Sequence, residues 1–152
     1  MPYQLPRFEF GHYHLAVSDR DRAVIEEAMA HWENETCITF KKHNNEMFFI
    51  RFRTDTQGCW SLIGRQILYF RRGQDVSIGQ GCAKRNTVVH EIGHVIGFFH
   101  EQSRSDRDES IQILWDNVQS SFYSQFRKEE DITNGIPYDY HSTMQYPAWV
   151  SK

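Results

Sequence analysis

Two histidines and a glutamate near the middle of the chain have the spacing of a metal-dependent hydrolytic site. His90 and His94 are four residues apart, so on a helix they lie one turn above each other and can direct ring nitrogens at one metal ion. Glu91 is rotated away from that pair, where its carboxylate can reach a water on the metal without displacing it. The spacing therefore predicts a catalytic metal site with Glu91 as the general base.

A third ligand follows the predicted helix. Gly97 has no Cβ, so it can adopt a positive φ and end the helix, which lets His100 offer an imidazole from outside it. Three neutral protein ligands leave a fourth position open, as in catalytic zinc sites, whereas structural sites close the tetrahedron with four protein ligands. We therefore predict one catalytic Zn²⁺ bound by His90, His94 and His100.

An ordinary buried helix that happens to carry histidines is the alternative interpretation. Its apolar residues would be Val88, Val89, Ile92, Val95 and Ile96. In shuffled chains of this composition the pattern H-E-x-x-H arises in roughly 3% of cases, and the addition of Gly97 and His100 lowers this to about one in ten thousand. The full pattern therefore favours the metal site.

Other residues with metal-binding side chains are weaker candidates. His12 and His14 have strand spacing, but no third ligand is near them in the sequence. Cys37, Cys59 and Cys82 contain no C-x-x-C spacing, which disfavours a cysteine-based zinc site. Three cysteines cannot all pair within one chain, and their use indicates an oxidising, extracellular compartment.

Length and composition limit the remaining possibilities. With 152 residues, of which 39% are hydrophobic and 14% aromatic, the chain suits a single domain spanning residues 1–152 with its own core. A net charge of −3 and a pI near 6.2 give no reason to expect nucleic acid as a partner. A membrane span needs about 18 consecutive apolar residues, and no apolar run in the sequence approaches that length. The first residues lack the apolar core of a signal peptide. The sequence does not indicate an oligomeric state.

The hydrophobic pattern also predicts the elements that must position the site. Besides the helix that carries the histidines, a helix capped by Ser18 or Asp19 presents one apolar stripe. A further helix is expected from about Asp116 to Glu130. The charged segment Ser103–Asp108 is either a solvated turn or a packed ion-pair network. Strands are predicted within residues 2–15, 38–41, 47–52, 60–63, 67–70 and 76–78.

The string H-E-I-G-H-V-I-G-F-F-H-E-Q-S-R-S-D-R-D resembles the zinc peptidases called metzincins, and the astacin family in particular. The resemblance covers about residues 8 to 147. Further segments follow in the order of astacin segments: Gly58–Ser61, Gln74–Ile78, Gly81–Cys82 and Tyr138–Tyr146.

The resemblance implies an α+β metzincin fold with a twisted mixed sheet, two main helices above an active-site cleft and a smaller irregular C-terminal part. It also implies a secreted zinc endopeptidase that acts on peptide or protein substrates. Tyr146 falls where astacins carry a tyrosine that donates its phenol to the oxyanion, and Met144 where a methionine forms an apolar floor beneath the histidines. The strand at Val76–Ile78 would be an edge strand, either plain or extended by a bound peptide.

The resemblance further implies a disulfide between Cys59 and Cys82. It pairs Cys37 with a cysteine near the C-terminal end of the domain, which is not in this sequence, so we expect a free Cys37 thiol. Compared with the family pattern as a whole, we expect a domain that is truncated at both ends. Asn34–Thr36 is a glycosylation sequon, informative only in a secreted protein.

Two hypotheses from other classes stand beside the peptidase. One is a catalytically silent, secreted zinc-binding interaction domain that keeps the fold, and the other is a zinc-stabilised structural domain. A silent relative would be free to lose Glu91, and a structural site would need a fourth protein ligand. The presence of Glu91 and the pattern of three histidine ligands therefore favour the enzyme.

Overall fold

The computed structural model describes residues 9–10, 17–69, 71–130 and 135–148. The predicted second metal pair, His12 and His14, lies outside the described residues, as does most of the predicted first strand. The chain divides between Phe98 and Phe99 into two compact units.

The described strands of the first unit form two small sheets. Strands β1 (Glu9–Phe10) and β2 (Thr39–Phe40) pair in parallel. Strands β3 (Ile50–Arg53), β4 (Cys59–Ser61) and β5 (Gln74–Ile78) form a second sheet in the order β3-β5-β4, with β5 parallel to β3 and antiparallel to β4. This second sheet is therefore mixed, as predicted.

The expectation that Val76–Ile78 forms an edge strand is wrong. Strand β5 lies between its two neighbours, and β4 is at an edge of the three described strands. Val76, Ser77 and Ile78 have at most 1% of their surface exposed, because a central strand is covered on both faces and at both sides. Any peptide that extends this sheet has to add to an outer strand.

Helix α1 (Asp19–Glu35) begins where the sequence predicts. The Ser18 side chain accepts a hydrogen bond of 3.1 Å from the Asp21 backbone N–H, which satisfies one of the unpaired donors of the first turn. On the buried face of the helix, Trp32 Nε1 donates to the Val89 carbonyl at 3.0 Å. The predicted apolar stripe thus faces the core.

Helix α2 (Arg85–Ile96) carries the histidine motif and ends at Gly97. Gly97 has φ 115° and ψ 3°, a left-handed conformation that L side chains adopt at a cost. Its N–H bonds the His94 carbonyl at 2.9 Å, and the Phe98 N–H bonds the Gly93 carbonyl at 3.0 Å. These two hydrogen bonds satisfy carbonyls of the last turn and end the helix.

One hydrophobic core joins both helices to the mixed sheet. Its buried members come from α1, β3, β5, α2 and the turn before α2, namely Ile25, Ala28, Ile50, Phe52, Val76, Ile78, Cys82, Val88, Val89, Ile92 and Val95. No helix in the described part of the chain combines the length and apolar character that crossing a bilayer requires.

A disulfide between Cys59 and Cys82 joins the start of β4 to the turn that precedes α2. This confirms the pairing implied by the family resemblance. Cys37 is exposed and unpaired, as expected.

Two predicted elements are instead 3₁₀ turns. Residues Ile67–Tyr69 form a turn in which Leu68 is 88% exposed, not a strand. In the second unit, the predicted helix Asp116–Glu130 is replaced by the turns Trp115–Asn117 and Ser120–Phe126. These two turns are separated by extended backbone at Val118 and Gln119. Of the aromatic residues within the predicted helix, Phe126 is buried, whereas Phe122 is 43% exposed.

The segment Ser103–Asp108 forms a packed ion-pair network. Arg104 is 8% exposed and pairs with Glu101 at 3.0 Å and Asp106 at 2.9 Å. Arg107 is 5% exposed and donates to two backbone carbonyls of the same unit. Of the two alternatives for this segment, the solvated turn is therefore excluded.

We expect Gly97→Ala to lower the free energy of unfolding by about 1–2 kcal/mol, because an L side chain is strained at positive φ. A Cβ at this position meets no atom within 4 Å, so backbone strain alone is tested. Gly97→Asn is the matched control and should cost less, since asparagine tolerates the left-handed region. Denaturant melts measure the difference, and equal stability of the alanine variant and the wild type would contradict it.

Removal of the disulfide by the double substitution Cys59→Ala and Cys82→Ala should lower the free energy of unfolding by about 3 kcal/mol. The bridge closes a loop with a sequence separation of 23 residues, and cross-linking restricts the unfolded chain by about that amount. Cys37→Ala is the control and should change stability little, because that thiol is exposed. Equal denaturation midpoints for all three proteins would refute a stabilising role.

Candidate functional site

The two histidines of helix α2 lie side by side in the first unit. The ring centroids of His90 and His94 are 4.6 Å apart, and the rings are nearly perpendicular, at 86°. The predicted one-turn spacing therefore brings the two imidazoles together. His94 is only 7% exposed, and His90 is half-buried.

The helix cap fixes the His94 ring. His94 Nδ1 lies 2.8 Å from the Phe98 carbonyl oxygen, and because a carbonyl only accepts, Nδ1 must carry the proton. This leaves the lone pair on Nε2, the arrangement found in most metal-binding histidines. Burial lowers the pKa of His94 and so favours the neutral imidazole that a metal requires.

The Glu91 carboxylate is buried and accepts a hydrogen bond from the Ser61 hydroxyl. It is 4% exposed, and Ser61 Oγ lies 2.8 Å from both its backbone oxygen and its side-chain Oε2. Burial raises the pKa of Glu91 to about 7, while the Ser61 hydrogen bond acts in the opposite direction. A group with a pKa near 7 can both accept and release a proton near neutral pH.

The second unit contains the segment with His100. His100 packs against Tyr146 with ring centroids 4.4 Å apart. Two hydrogen bonds of 3.0 Å join the residues after His100 to the segment that contains Tyr146. The Glu101 N–H donates to the Met144 carbonyl, and the Tyr146 N–H donates to Gln102 Oε1. Three sequence-predicted residues, His100, Met144 and Tyr146, are thus neighbours within this unit.

Two residues of the site region had no role in the sequence-based prediction. Ser61 belongs to a quoted motif, but its contact with Glu91 depends on how β4 lies against α2. Gln102 is 1% exposed, and its Oε1 holds the Tyr146 backbone. Gln102 lies between His100 and a run of charged residues, so its burial could not be predicted from the sequence.

The donor set fits zinc. Each of His90, His94 and His100 offers one ring nitrogen, and neutral imidazoles are among the preferred ligands of Zn²⁺. The hydrogen bond of His94 Nδ1 to the Phe98 carbonyl orients the ring and leaves the lone pair on Nε2. The roles of the five predicted site residues remain predictions.

Comparison with known proteins gives consistent matches. Residues 9–151 match the model of the peptidase family described as Astacin. Zinc metalloproteinase nas-31 of Caenorhabditis elegans is 41% identical over 142 residues, which is 91% of this chain and 22% of that protein. Bone morphogenetic protein 1 of Xenopus laevis is 42% identical over 134 residues, 85% of this chain and 18% of that protein.

A solved structure agrees with both sequence matches. High choriolytic enzyme 1, a hatching enzyme zinc-protease from Oryzias latipes, has a TM-score of 0.83 at 35% identity, covering 92% of this chain and 68% of that one. The predicted α+β fold is thereby confirmed. The chain spans about a fifth of the length of the curated relatives it matches. Taken together, the matched residues, the identities and the shared fold establish that the chain belongs to the astacin family of peptidases.

Proposed function

We propose that this chain is the catalytic domain of a zinc-dependent endopeptidase in which His90, His94 and His100 hold one zinc ion and Glu91 is the general base. The observation that carries the proposal is the buried Glu91 carboxylate on the same helix as two adjacent histidine rings. Family membership supports it, because two of the matched relatives bear the names zinc metalloproteinase and zinc-protease.

The cofactor of the family is one catalytic zinc ion. When bound, zinc supplies Lewis acidity, which acidifies a water molecule and polarises a carbonyl group. The chain's own contribution begins with neutral histidines. Burial lowers the pKa of His94 and so favours its neutral form, and the Nδ1 hydrogen bond to the Phe98 carbonyl holds the ring in one orientation.

Glu91 moves the protons in the proposed reaction. Its carboxylate takes a proton from the attacking water and passes it to the nitrogen of the leaving amine, so that the residue ends in its starting state. A pKa raised to about 7 by burial suits a group that must do both near neutral pH.

Tyr146 is proposed to donate its phenolic hydrogen to the oxyanion of the substrate carbonyl. In the structure its hydroxyl lies 3.4 Å from Gln125 Oε1, a long and weak contact that a substrate oxygen can replace. The Tyr146 backbone N–H donates to Gln102 Oε1, which holds the main chain of this residue, and the His100 ring packs against the phenol ring.

Peptides or proteins are the proposed substrates, and an extracellular location is proposed for the chain. A disulfide is present, and disulfides persist in oxidising compartments such as the cell exterior. Asn34 of the predicted sequon is exposed near the end of α1, as a glycosylated asparagine must be.

We expect metal analysis after dialysis to find one zinc ion per chain. A strong chelator should abolish peptide cleavage, and added zinc should restore it, because the metal is required for the reaction. Matched relatives carry zinc in their names. A protein that stays metal-free after incubation with zinc, or that cleaves peptides equally well in chelator, would overturn the proposal.

Glu91→Gln should retain zinc and lose about 10²–10⁴-fold in peptide cleavage, the usual contribution of general acid-base catalysis. The control Glu109→Gln removes a carboxylate at an exposed position and should leave cleavage unchanged. Near wild-type turnover by the zinc-loaded Glu91→Gln protein would show that Glu91 is not the general base. A wild-type protein that binds zinc but cleaves no peptide would favour the alternative, a catalytically silent zinc-binding domain.

Tyr146→Phe should reduce kcat less than Glu91→Gln, because a bound zinc ion would still polarise the carbonyl in this variant. Tyr123→Phe is the matched control, because that hydroxyl belongs to an exposed side chain. A loss from Tyr146→Phe that equals or exceeds the loss from Glu91→Gln would show that the assigned roles are inverted.

A further inference from the structure

The hydroxyl of Ser61 faces two acceptors on one residue of helix α2. Its Oγ is 2.8 Å from the Glu91 backbone oxygen and 2.8 Å from Glu91 Oε2. A hydroxyl has one proton to donate, so a bond to Oε2 is made at the expense of the bond to the backbone. Among the described side chains, Ser61 is the donor to this carboxylate.

The position of Ser61 is fixed on both sides along the chain. Strand β4 pairs with β5 so that Ser61 lies opposite Val76, and Cys59, two residues earlier, is bonded to Cys82 just before α2. Three residues later, the Gly64 N–H donates to the His94 carbonyl at 2.8 Å. The hydroxyl is therefore held against α2 by groups that do not touch the Glu91 carboxylate.

A buried carboxylate needs such a donor for orientation. The Glu91 side chain has three rotatable bonds, and it has only 4% exposure, so water cannot stabilise a single orientation of its oxygens. A hydrogen bond to a charged acceptor is short, directional and stronger than one to a neutral acceptor. Because the two oxygens belong to one planar group, holding Oε2 also limits the directions in which Oε1 can point.

We propose that Ser61 is a positioning residue for Glu91, holding Oε2 so that Oε1 is the oxygen that takes the proton. This inference rests on the proposed peptidase function and adds a residue to it. In the reaction, the water proton moves to Oε1 and then to the leaving amine nitrogen, while the Ser61 proton stays on Oγ throughout. Ser61 contacts Glu91 and acts only through it.

Kinetics of the zinc-loaded protein on a fluorogenic peptide test the proposal. Ser61→Ala should lower kcat roughly tenfold and leave KM nearly unchanged, as expected when a hydrogen bond to a charged group is lost from the catalytic arrangement. Ser61→Thr keeps the hydroxyl and should restore most of the loss. Zinc content should stay at one ion per chain in both variants.

Ser77→Ala is the matched control. Ser77 lies on the neighbouring strand β5, is fully buried, and its hydroxyl donates to the Gly58 carbonyl at 2.7 Å. The substitution Ser77→Ala therefore also removes a hydrogen-bonded hydroxyl from the same sheet. We expect it to reduce stability without a selective loss of kcat. Equal kcat values for Ser61→Ala and Ser77→Ala would overturn the positioning role.

A double-mutant cycle separates action through Glu91 from any independent effect. In the Glu91→Gln background, Ser61→Ala should cause no further loss of kcat, because the group that it positions is gone. A full additional tenfold loss in that background would refute the proposal. Thermal melts of each variant show whether a change in folding accounts for the result.

A crystal structure of the zinc-loaded Ser61→Ala protein gives a readout that does not need activity. The Glu91 carboxylate should rotate or occupy more than one conformer, whereas a single unchanged conformer would count against the inference. A wild type without zinc-dependent cleavage would refute the proposed function, and a wild type that is active with an unaffected Ser61→Ala variant would refute only the role of Ser61.

Discussion

Helix α2 has to bury one face and present two histidine rings from the same twelve residues. Its apolar side chains Val88, Val89, Ile92 and Val95 are at most 2% exposed, and the core that they form with α1 and the sheet sets the rotation of the helix about its axis. Because that rotation is fixed by packing, the directions of the histidine rings are fixed as well. The helix then ends in a left-handed residue, which places a backbone carbonyl against a histidine nitrogen.

The same packing buries a carboxylate on the helix, which is unfavourable unless a donor accompanies it. The edge strand β4 supplies that donor as the Ser61 hydroxyl, held in place by its pairing with β5 and by the nearby disulfide. In the second unit, a buried glutamine amide in turn holds the backbone of Tyr146. Residues that touch no substrate thus orient the groups proposed to do so.

Local chemistry made part of this arrangement predictable. Helix spacing, the Ser18 cap and the glycine at position 97 depend on residues close together in the sequence, and each is found where the sequence indicates. Contacts between distant segments were not predictable. The role of Ser61, the central place of β5 and the burial of Gln102 all depend on pairing across the fold. The hydrophobic pattern after Asp116 is typical of a helix. Exposed side chains such as Phe122 and Tyr123 find no core to bury them there, and 3₁₀ turns form instead.

Zinc X-ray absorption spectroscopy of the metal-loaded protein tests the proposed ligand set most directly. The account predicts three imidazole nitrogens at about 2.0–2.1 Å and no sulfur near 2.3 Å. His100→Ala should reduce the imidazole count from three to two. A sulfur ligand in the wild-type spectrum, or an unchanged imidazole count in the His100→Ala protein, would contradict the account.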